Sequence, residues 1–476
     1  MTTGKRLISE AFAAIPSVDE KTVDTLLVSA LSSLNKKIIV LDDDPTGVQT
    51  IHDISVYTDW TVESIEKGFR ENNSMFFILT NSRGFTAAET EAVHREIATN
   101  IVTVAKQMNQ DFLVISRGDS TLRGHYPLET EVLKNTIESQ SDKVFDGEVI
   151  IPFFKEGGRF TIDNVHYVQY DTELVPAGET EFAKDRTFGY TKSNLGEWVE
   201  EKSQGRYSAE NTTYISLDRL RAMDIDTITK QLLQVKDFNK VIVNAVDYVD
   251  VKIFTIALCK AMKAGKNFLY RSAAALTKVI GGVSDRGLLT REELITEETN
   301  HGGLIIVGSH VKKTTEQLEQ LKTVTSIEFI EFNCHLVLDE DKFKAEIDRV
   351  VAQCEQLISA GQTVAVYTKR ERLDLGEGMQ EEELKLSVKI SDAVTSIVAR
   401  IHVRPKYIIA KGGITSSDVG TKGLKVQRAN VAGQIKPGIP VWMTGPESKY
   451  PGMGYVIFPG NVGTASTLKE VVQILE

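Results

Sequence analysis

The sequence contains too few cysteines to stabilise a secreted scaffold. There are three among 476 residues, Cys259, Cys334 and Cys354, and none has CxxC spacing. The sequence therefore predicts neither a disulfide framework nor a zinc site, and we expect reduced thiols. Proline is also scarce, 11 residues against 34 glycines, and no low-complexity tract occurs. This composition argues against a collagen-like or disordered chain.

Long hydrophobic runs and an excess of positive charge are also lacking. No apolar stretch approaches the roughly 18–20 residues that span a bilayer. The short apolar patch near the N-terminus is soon followed by Asp19 and Glu20, unlike a signal peptide. The net charge is −11, which repels phosphate backbones. We expect a cytoplasmic protein with no membrane or nucleic-acid partner.

The chain is long enough for two domains, and its pattern predicts α/β architecture. Short β-branched or aromatic runs alternate with polar, periodic stretches, which indicates mostly parallel sheets with crossover helices. We predict an N-terminal helical extension at 1–36, a first domain at 37–283, a charged connector at 284–300 and a second domain at 301–476. The stretch 152–215 has weak periodicity and is expected to be an irregular excursion over the first domain.

Three polar motifs follow predicted strands of the first domain: LDDDPTGVQT at 41–50, TNSRGFTAAET at 80–90 and SRGDSTLRGHYPLE at 116–129. Ligands of open α/β sheets bind at the carboxyl ends of strands, so these motifs should meet at one edge. Arginine forks suit a carboxylate, and Asp119 with Ser120 suits sugar hydroxyls. Thr86 should cap a helix. The structural alternatives are a solvated turn for the first motif, an ordinary surface arginine for the second and an Arg–Asp network that braces the loop for the third.

Three glycine–hydroxyl turns follow strands of the second domain: VGSHVKKT at 307–314, AKGGITSSDVG at 410–420 and FPGNVGTAST at 458–467. Glycines permit close backbone approach, so the turns indicate a phosphate or nucleotide site. None matches the P-loop or Rossmann fingerprint. The eight histidines form no ligand cluster, and His125, inside the 116–129 motif, is the one of interest.

Together, DDDPTG, SRGDSTLRG, KGGITSSD and PGNVG resemble the four-carbon acid sugar kinases, which phosphorylate threonate, erythronate or 3-oxo-tetronate with ATP. The resemblance covers about residues 37–470 and includes the glycine–arginine stretch at 152–168. The resemblance implies these acid-sugar ligands: Asp43, Asp44, Arg83, Arg117, Asp119, Ser120 and Arg123. It implies these residues of an ATP site: Ser309, Gly412, Gly413, Thr415 and Gly460.

Two segments depart from the family pattern. The family commonly reads DDLTGA where this chain has Asp43-Asp44-Pro45-Thr46-Gly47-Val48, and His125 occupies a position that is often Asn. Both departures concern substrate identity more than reaction type.

The expected reaction is Mg²⁺-ATP-dependent phosphorylation of a hydroxyl, with the active site in the cleft between the domains. Asp44 or Asp119 would be the catalytic base, and Arg117 with Arg123 would hold the substrate carboxylate. Metal ligands and oligomeric state stay open, a homodimer included. The main alternative is a haloacid-dehalogenase-like phosphatase, since Asp42, Asp44 and Thr46 fit DxDxT. A non-catalytic sugar-acid sensor is the third.

Overall fold

A computed structural model describes residues 4–297, 299–371, 373 and 380–476, with the side chains of 380–384 left out. The chain forms two compact units. The N-terminal unit comprises the residues up to Asp43 together with Asp59–Asp285, and the C-terminal unit comprises Asp44–Thr58 and Arg286–Glu476. Both are α/β, as predicted.

The strands, in chain order, are β1 Arg6–Leu7, β2 Lys37–Asp42, β3 Ile54–Tyr57, β4 Met75–Leu79, β5 Phe112–Arg117, β6 Gly147–Ile151, β7 Arg159–Ile162, β8 Val165–Tyr170, β9 Glu173–Pro176, β10 Thr213–Ile215, β11 Asn239–Val243, β12 Phe268–Ser272, β13 Leu304–Val307, β14 Ile327–Phe332, β15 Thr363–Thr368, β16 Ile408–Lys411, β17 Arg428–Lys436, β18 Ile439–Thr444 and β19 Gly454–Phe458.

The α-helices are α1 Ile8–Ala13, α2 Glu20–Ser32, α3 Val62–Arg70, α4 Ala87–Met108, α5 Leu128–Gln140, α6 Leu195–Lys202, α7 Leu217–Arg221, α8 Ile225–Gln234, α9 Tyr248–Lys263, α10 Ala274–Ile280, α11 Arg291–Leu294, α12 Lys312–Leu321, α13 Glu340–Ser359, α14 Gln380–Arg400, α15 Gly413–Asp418 and α16 Thr467–Leu475. Helix α4 begins as predicted: Thr86 and Glu89 form a reciprocal capping box.

The N-terminal unit is built on a parallel sheet in the order β10-β11-β6-β12-β5-β2-β4. Its central strands are buried along their whole length because crossover helices cover such sheets on both faces. Asp42 is in register with Arg117, and Arg117 with Ser272. The carboxyl ends of β2, β5 and β12 therefore lie side by side.

The segment 152–215 is more regular than we expected. It contributes β7, β8 and β9 to a second, antiparallel sheet in the order β1-β9-β8-β7, and it also contains α6 and β10. The β7–β8 turn is formed by Asp163 and Asn164, both with positive φ. Two such residues match the right-handed twist of a two-residue hairpin. The interpretation of this segment as an irregular excursion is therefore corrected.

The C-terminal unit has a mixed sheet in the order β3-β17-β18-β19-β16-β13-β15-β14. The pairings from β3 to β19 are antiparallel, and those from β19 to β14 are parallel. Residues 44–58, expected in the first domain, belong here because β3 pairs with β17. The expected connector also packs into this unit, with Leu289, Leu294 and Ile295 in its core.

The expected N-terminal extension at 1–36 does not form a separate body over its described residues 4–36: β1 pairs with β9, and Val23 and Leu27 of α2 are buried in the N-terminal unit. The three cysteines are buried free thiols. Among the helices that the structure describes, none is long and apolar enough to cross a bilayer.

Candidate functional site

Asp43, buried Arg117 and partly exposed Arg83 form a group at the carboxyl edge of the parallel sheet in the N-terminal unit. Arg83 contacts the carboxylate of Asp43 twice, with Nη2–Oδ1 at 2.7 Å and Nε–Oδ2 at 3.1 Å. Arg117 Nη1 lies 3.0 Å from Asp42 Oδ1 and 3.5 Å from Asp43 Oδ1. Burial raises the pKa of Asp43, and the two guanidinium groups oppose that shift. Asp42 and Asp43 of the 41–50 motif therefore meet the 80–90 and 116–129 motifs in this unit as predicted, whereas residues 44–50 belong to the C-terminal unit.

Asp119 and Arg123 form a second pair in the loop after β5. Arg123 Nε donates to Asp119 Oδ2 at 2.7 Å, and Thr121 Oγ1 donates to the same oxygen. Burial would raise the pKa of Asp119, but Arg123 and Arg83 hold that pKa well below its ordinary value. The Asp119 carboxylate is therefore ionised throughout the physiological range. Arg123 Nη1 also lies 3.8 Å from Asp185 Oδ2.

Arg271, at the end of β12, explains both glycines of the RGDSTLRG motif. A Cβ on Gly118 would lie 2.3 Å from Arg271 Cζ, and one on Gly124 would lie 2.6 Å from Arg271 Nη2. Gly124 also has φ of +123°, a conformation that favours glycine. Arg271 is itself held by buried Glu129. Sequence reasoning missed Arg271 because one arginine in an ordinary strand pattern carries no local signal.

Two side chains from the 152–215 segment hold the same loop by its backbone carbonyls. His166 Nε2 lies 2.7 Å from the Ser120 carbonyl oxygen, and its Nδ1 lies 3.0 Å from Thr161 Oγ1. Burial lowers the pKa of His166 to about 4, so the ring is neutral and donates from Nε2 to Ser120. Tyr190 Oη donates to the Thr121 carbonyl at 2.7 Å. Ser120 is itself buried.

His125 serves local packing. Its Nε2 lies 2.9 Å from the Phe85 carbonyl oxygen, and its ring meets Phe188 edge-on at 4.8 Å. His125 thereby links the loop after β5 to the middle of the 80–90 motif.

In the C-terminal unit, the three predicted glycine turns converge around Ser309. A Cβ on Gly412 would lie 2.9 Å from Ser309 Cβ, and one on Gly460 would lie 3.4 Å from Ser309 Oγ. A Cβ on Gly308 would lie 2.3 Å from Thr415 Oγ1, so only glycine fits there. Gly412 has φ of +120°. The turns at Gly308 and Gly412 line a cavity of about 330 Å³ within the unit, and the Gly460 turn lies against Ser309 outside that lining.

Side chains hold the Gly460 turn through its carbonyl groups. Thr314 Oγ1 donates to the Gly460 carbonyl at 3.3 Å. Gln317 Nε2 donates to the carbonyls of Val462 and Thr464 at 3.0 and 2.8 Å. Lys411, fully buried at the end of β16, donates to the Pro459 carbonyl and lies 4.1 Å from the Phe458 ring centroid. Burial, aided by Lys313, lowers the pKa of Lys411 to about 6.

Asp44 belongs to the C-terminal unit, whereas Asp43 and Asp119 belong to the N-terminal unit. Asp44 Oδ1 accepts hydrogen bonds from the Thr46 backbone N–H at 2.7 Å and from Thr46 Oγ1. Its Oδ2 lies 3.3 Å from the position a Cβ on Gly413 would take. Asp44 therefore lies beside the turn that contains Gly412 and Gly413. Among the described residues, no group of three or more His, Cys, Asp and Glu side chains is placed to hold a metal ion.

The comparisons with solved structures identify the fold. A Haemophilus influenzae protein of the family DUF1537 superposes with a TM-score of 0.60 at 16% identity, covering 92% of this chain and 100% of the other. A Salmonella typhimurium LT2 protein provisionally described as a tRNA synthase superposes with a TM-score of 0.63 at 15% identity, covering 90% and 97%. At these identities the likeness establishes the fold alone. A search of curated proteins gave no match.

The comparison with protein families identifies both halves of the chain. Residues 38–280 match the sugar-binding N-terminal domain, and residues 304–468 match the nucleotide-binding C-terminal domain. The arginine–aspartate group lies within the first match and the glycine turns lie within the second. This pair of domains, in this order, is the signature of one family, and the chain belongs to the four-carbon acid sugar kinases.

Proposed function

We propose that the protein transfers the γ-phosphoryl group of ATP to a hydroxyl of a small four-carbon acid sugar of the threonate, erythronate or 3-oxo-tetronate type. The observation that carries this proposal is the grouping of Ser309, Gly412 and Thr415 around one cavity of the nucleotide-binding domain, with Gly460 packed against Ser309. Phosphoryl transfer depends mainly on positioning and charge neutralisation, which suits turns of this kind.

The glycine turns have the chemistry that a polyphosphate requires. Gly308 and Gly412 leave no room for a side chain, so backbone groups and the hydroxyls of Ser309 and Thr415 line the cavity. Mg²⁺ generally binds through one or two carboxylates together with phosphate oxygens. The absence of an all-protein cluster among the described residues is compatible with that mode, and Asp44 is the carboxylate we assign to it or to proton transfer. Bound Mg²⁺ would neutralise charge on the phosphates.

The arginine–aspartate group has the chemistry that a hydroxy acid requires. Arg117 Nε is buried with no hydrogen-bond partner, although Nη1 pairs with Asp42. A ligand carboxylate would satisfy such a donor, and Arg123 is the second member of the proposed clamp. Ionised Asp119 and buried Asp43 accept hydrogen bonds from sugar hydroxyls, while Arg83 fixes the orientation of Asp43.

Between the two candidate bases, we favour Asp44. Arg123 and Arg83 hold the pKa of Asp119 well below its ordinary value, which makes Asp119 a poor proton acceptor. Asp44 lies beside Gly413 in the proposed nucleotide site, from which the phosphoryl group would be transferred. The location of the active site in a cleft between the domains stays a prediction.

The phosphatase alternative requires an accessible nucleophilic aspartate. Asp42 is 1% exposed and pairs with Arg117, and Asp42 and Asp44 lie in different units. Neither feature favours the DxDxT chemistry.

Purified protein should release ADP from Mg²⁺-ATP in the presence of one or more four-carbon acids. The panel contains both enantiomers of threonate and erythronate, the 3-oxo-tetronates, and p-nitrophenyl phosphate as a generic ester. Asp44→Asn should abolish turnover while ATP binding, measured by calorimetry, persists. If none of the acids leads to ADP release while the p-nitrophenyl ester is hydrolysed, the result would favour the phosphatase. Raised thermal stability with an acid but no reaction would favour the sensor.

A further inference from the structure

Arg159 is a guanidinium beside the proposed acid-sugar site that the sequence motifs did not assign. It begins β7, directly after the tight turn Lys155–Gly158. Both of its backbone hydrogen bonds with Phe154 close that turn, at 2.9 and 3.1 Å. A Cβ on Gly157 would lie 2.4 Å from Phe154 and 3.0 Å from Arg159 Nη1. The hydrogen-bonded turn therefore fixes the backbone position of Arg159, and the absence of a side chain at Gly157 leaves space for the guanidinium group.

The head groups of Arg159 and Arg123 share one aromatic ring. Arg159 Cζ lies 5.7 Å from the Phe182 ring centroid, and Arg123 Cζ lies 5.1 Å from the same centroid. Cations over the face of an aromatic ring are attracted to its π electrons. The two guanidinium groups are thereby held in one neighbourhood, with Asp119 bound to Arg123.

Arg159 differs from the other arginines of this group in having no anion. Arg83 pairs with Asp43, Arg117 with Asp42, Arg123 with Asp119, and Arg271 with Glu129. Arg159 Nε is buried without a hydrogen-bond partner, and no carboxylate of the described chain forms an ion pair with the group. Burial lowers the pKa of Arg159, and Asp119 opposes that shift. Arg159 is partly buried, and a cation in such a position with no carboxylate at ion-pair distance gains from an anionic ligand.

We infer that Arg159 binds the carboxylate of the acid substrate, acting with Arg123, and that it selects acid sugars over neutral sugar alcohols. This inference rests on the proposed function. A carboxylate would accept a hydrogen bond from the unpartnered Nε of Arg159 and would form an ion pair with its guanidinium group. A tetritol offers hydroxyls for Asp119 but no anion for Arg159. Discrimination between the two therefore depends on this side chain.

The test compares Arg159→Met, which keeps much of the side-chain volume, with Arg159→Lys, which keeps the charge. Calorimetry without nucleotide measures binding of threonate and erythronate, and an ADP-release assay measures kcat/KM for these acids, erythritol and threitol. Arg159→Met should weaken acid binding and kcat/KM by about 10–100-fold, since it removes hydrogen bonds to a charged group. The values for the tetritols should stay unchanged, and Arg159→Lys should recover part of the loss.

Arg95→Met is the matched control, because Arg95 makes an exposed ion pair with Glu91 on α4 and should leave all values unchanged. Equal losses for acids and tetritols would show a structural role and overturn the inference. Unchanged acid binding in Arg159→Met would also overturn it, with the kinase activity of the wild type intact. If the wild type neither binds nor phosphorylates any acid, the proposed function itself fails.

Discussion

Replacing Arg271 by Met should destabilise the N-terminal unit and disorganise the RGDSTLRG loop. The Arg271 and Glu129 side chains are 7% and 2% exposed, and Nη1 and Oε2 form an ion pair. After the substitution, Glu129 Oε1 would retain the hydrogen bond from Ser82 Oγ at 2.7 Å and the contact with Nε2 of buried His94 at 3.9 Å. Burial lowers the pKa of His94, so this ring is a poor replacement cation.

The expected loss follows from the unpaired carboxylate. Removing one partner of a buried pair costs about 3–5 kcal/mol. At about 2–4 °C per kcal/mol for a large domain, that loss lowers Tm by roughly 6–20 °C. Scanning calorimetry can follow this transition. Because Arg271 also packs against Gly118 and Gly124, kcat/KM for the acid substrate should fall as well.

The stability lost in Arg271→Met should depend on pH, and the direction of that dependence follows from the pKa of Glu129. In the wild type Arg271 holds the pKa of Glu129 below its ordinary value against the effect of burial, so the stabilisation is lost as pH falls. In Arg271→Met burial should raise the pKa of Glu129 above that of the unfolded chain. The folded variant then binds the extra proton, so its stability falls as pH rises. The deficit relative to wild type should therefore grow from pH 5 to pH 8.

A double variant separates the lost pair from lost packing. Arg271→Met with Glu129→Gln removes both charges and should regain most of the stability at pH 8. If the single variant loses less than about 1 kcal/mol, or if the double variant is as unstable as the single one, the unpaired-carboxylate argument is refuted.

Three further results are expected. Gly412→Ala should weaken ATP binding at least about tenfold in calorimetry, because its Cβ would meet Ser309; Gly452→Ala, with positive φ but no atom within 4 Å, controls for backbone strain. Lys411→Met should stabilise the C-terminal unit relative to wild type, most strongly at pH 6. Burial lowers the pKa of Lys411 to about 6, so between that pH and the ordinary pKa of lysine the unfolded wild type binds one more proton than the folded wild type. The free energy of unfolding of the wild type therefore rises with pH, and the advantage of the variant should shrink towards pH 10. Asp119→Asn should raise KM for the acid in steady-state assays, with ATP affinity unchanged.

The positions of the site motifs could be predicted because each follows a strand that is legible in the sequence. The runs before Asp42, Thr80 and Arg117 are continuous and apolar, as expected for a sheet covered on both faces. The parallel topology then brings their carboxyl ends together. The same reasoning located the turns at Gly308 and Gly412.

The supporting residues could not be predicted because their partners are distant in sequence. Arg271 and Glu129 are separated by 142 positions, and His166 and Ser120 by 46. The β7–β8 hairpin did carry a signal, Asp163-Asn164 between apolar strands, but its strands are short and their periodicity is weak. Nothing local to β3 indicates that it pairs with β17, so the assignment of residues 44–58 to the first domain could not have been avoided.

The net charge of −11 and the arginine-rich loop are compatible because most arginines near the proposed acid-sugar site already have carboxylate partners. Paired charges largely cancel beyond a Debye length, about 8 Å at physiological ionic strength, so this group contributes little long-range attraction. An anionic substrate would then be recognised only once it contacts the guanidinium donors. Discrimination would consequently arise in the dissociation rate, through the fit of carboxylate to arginine, more than in the association rate.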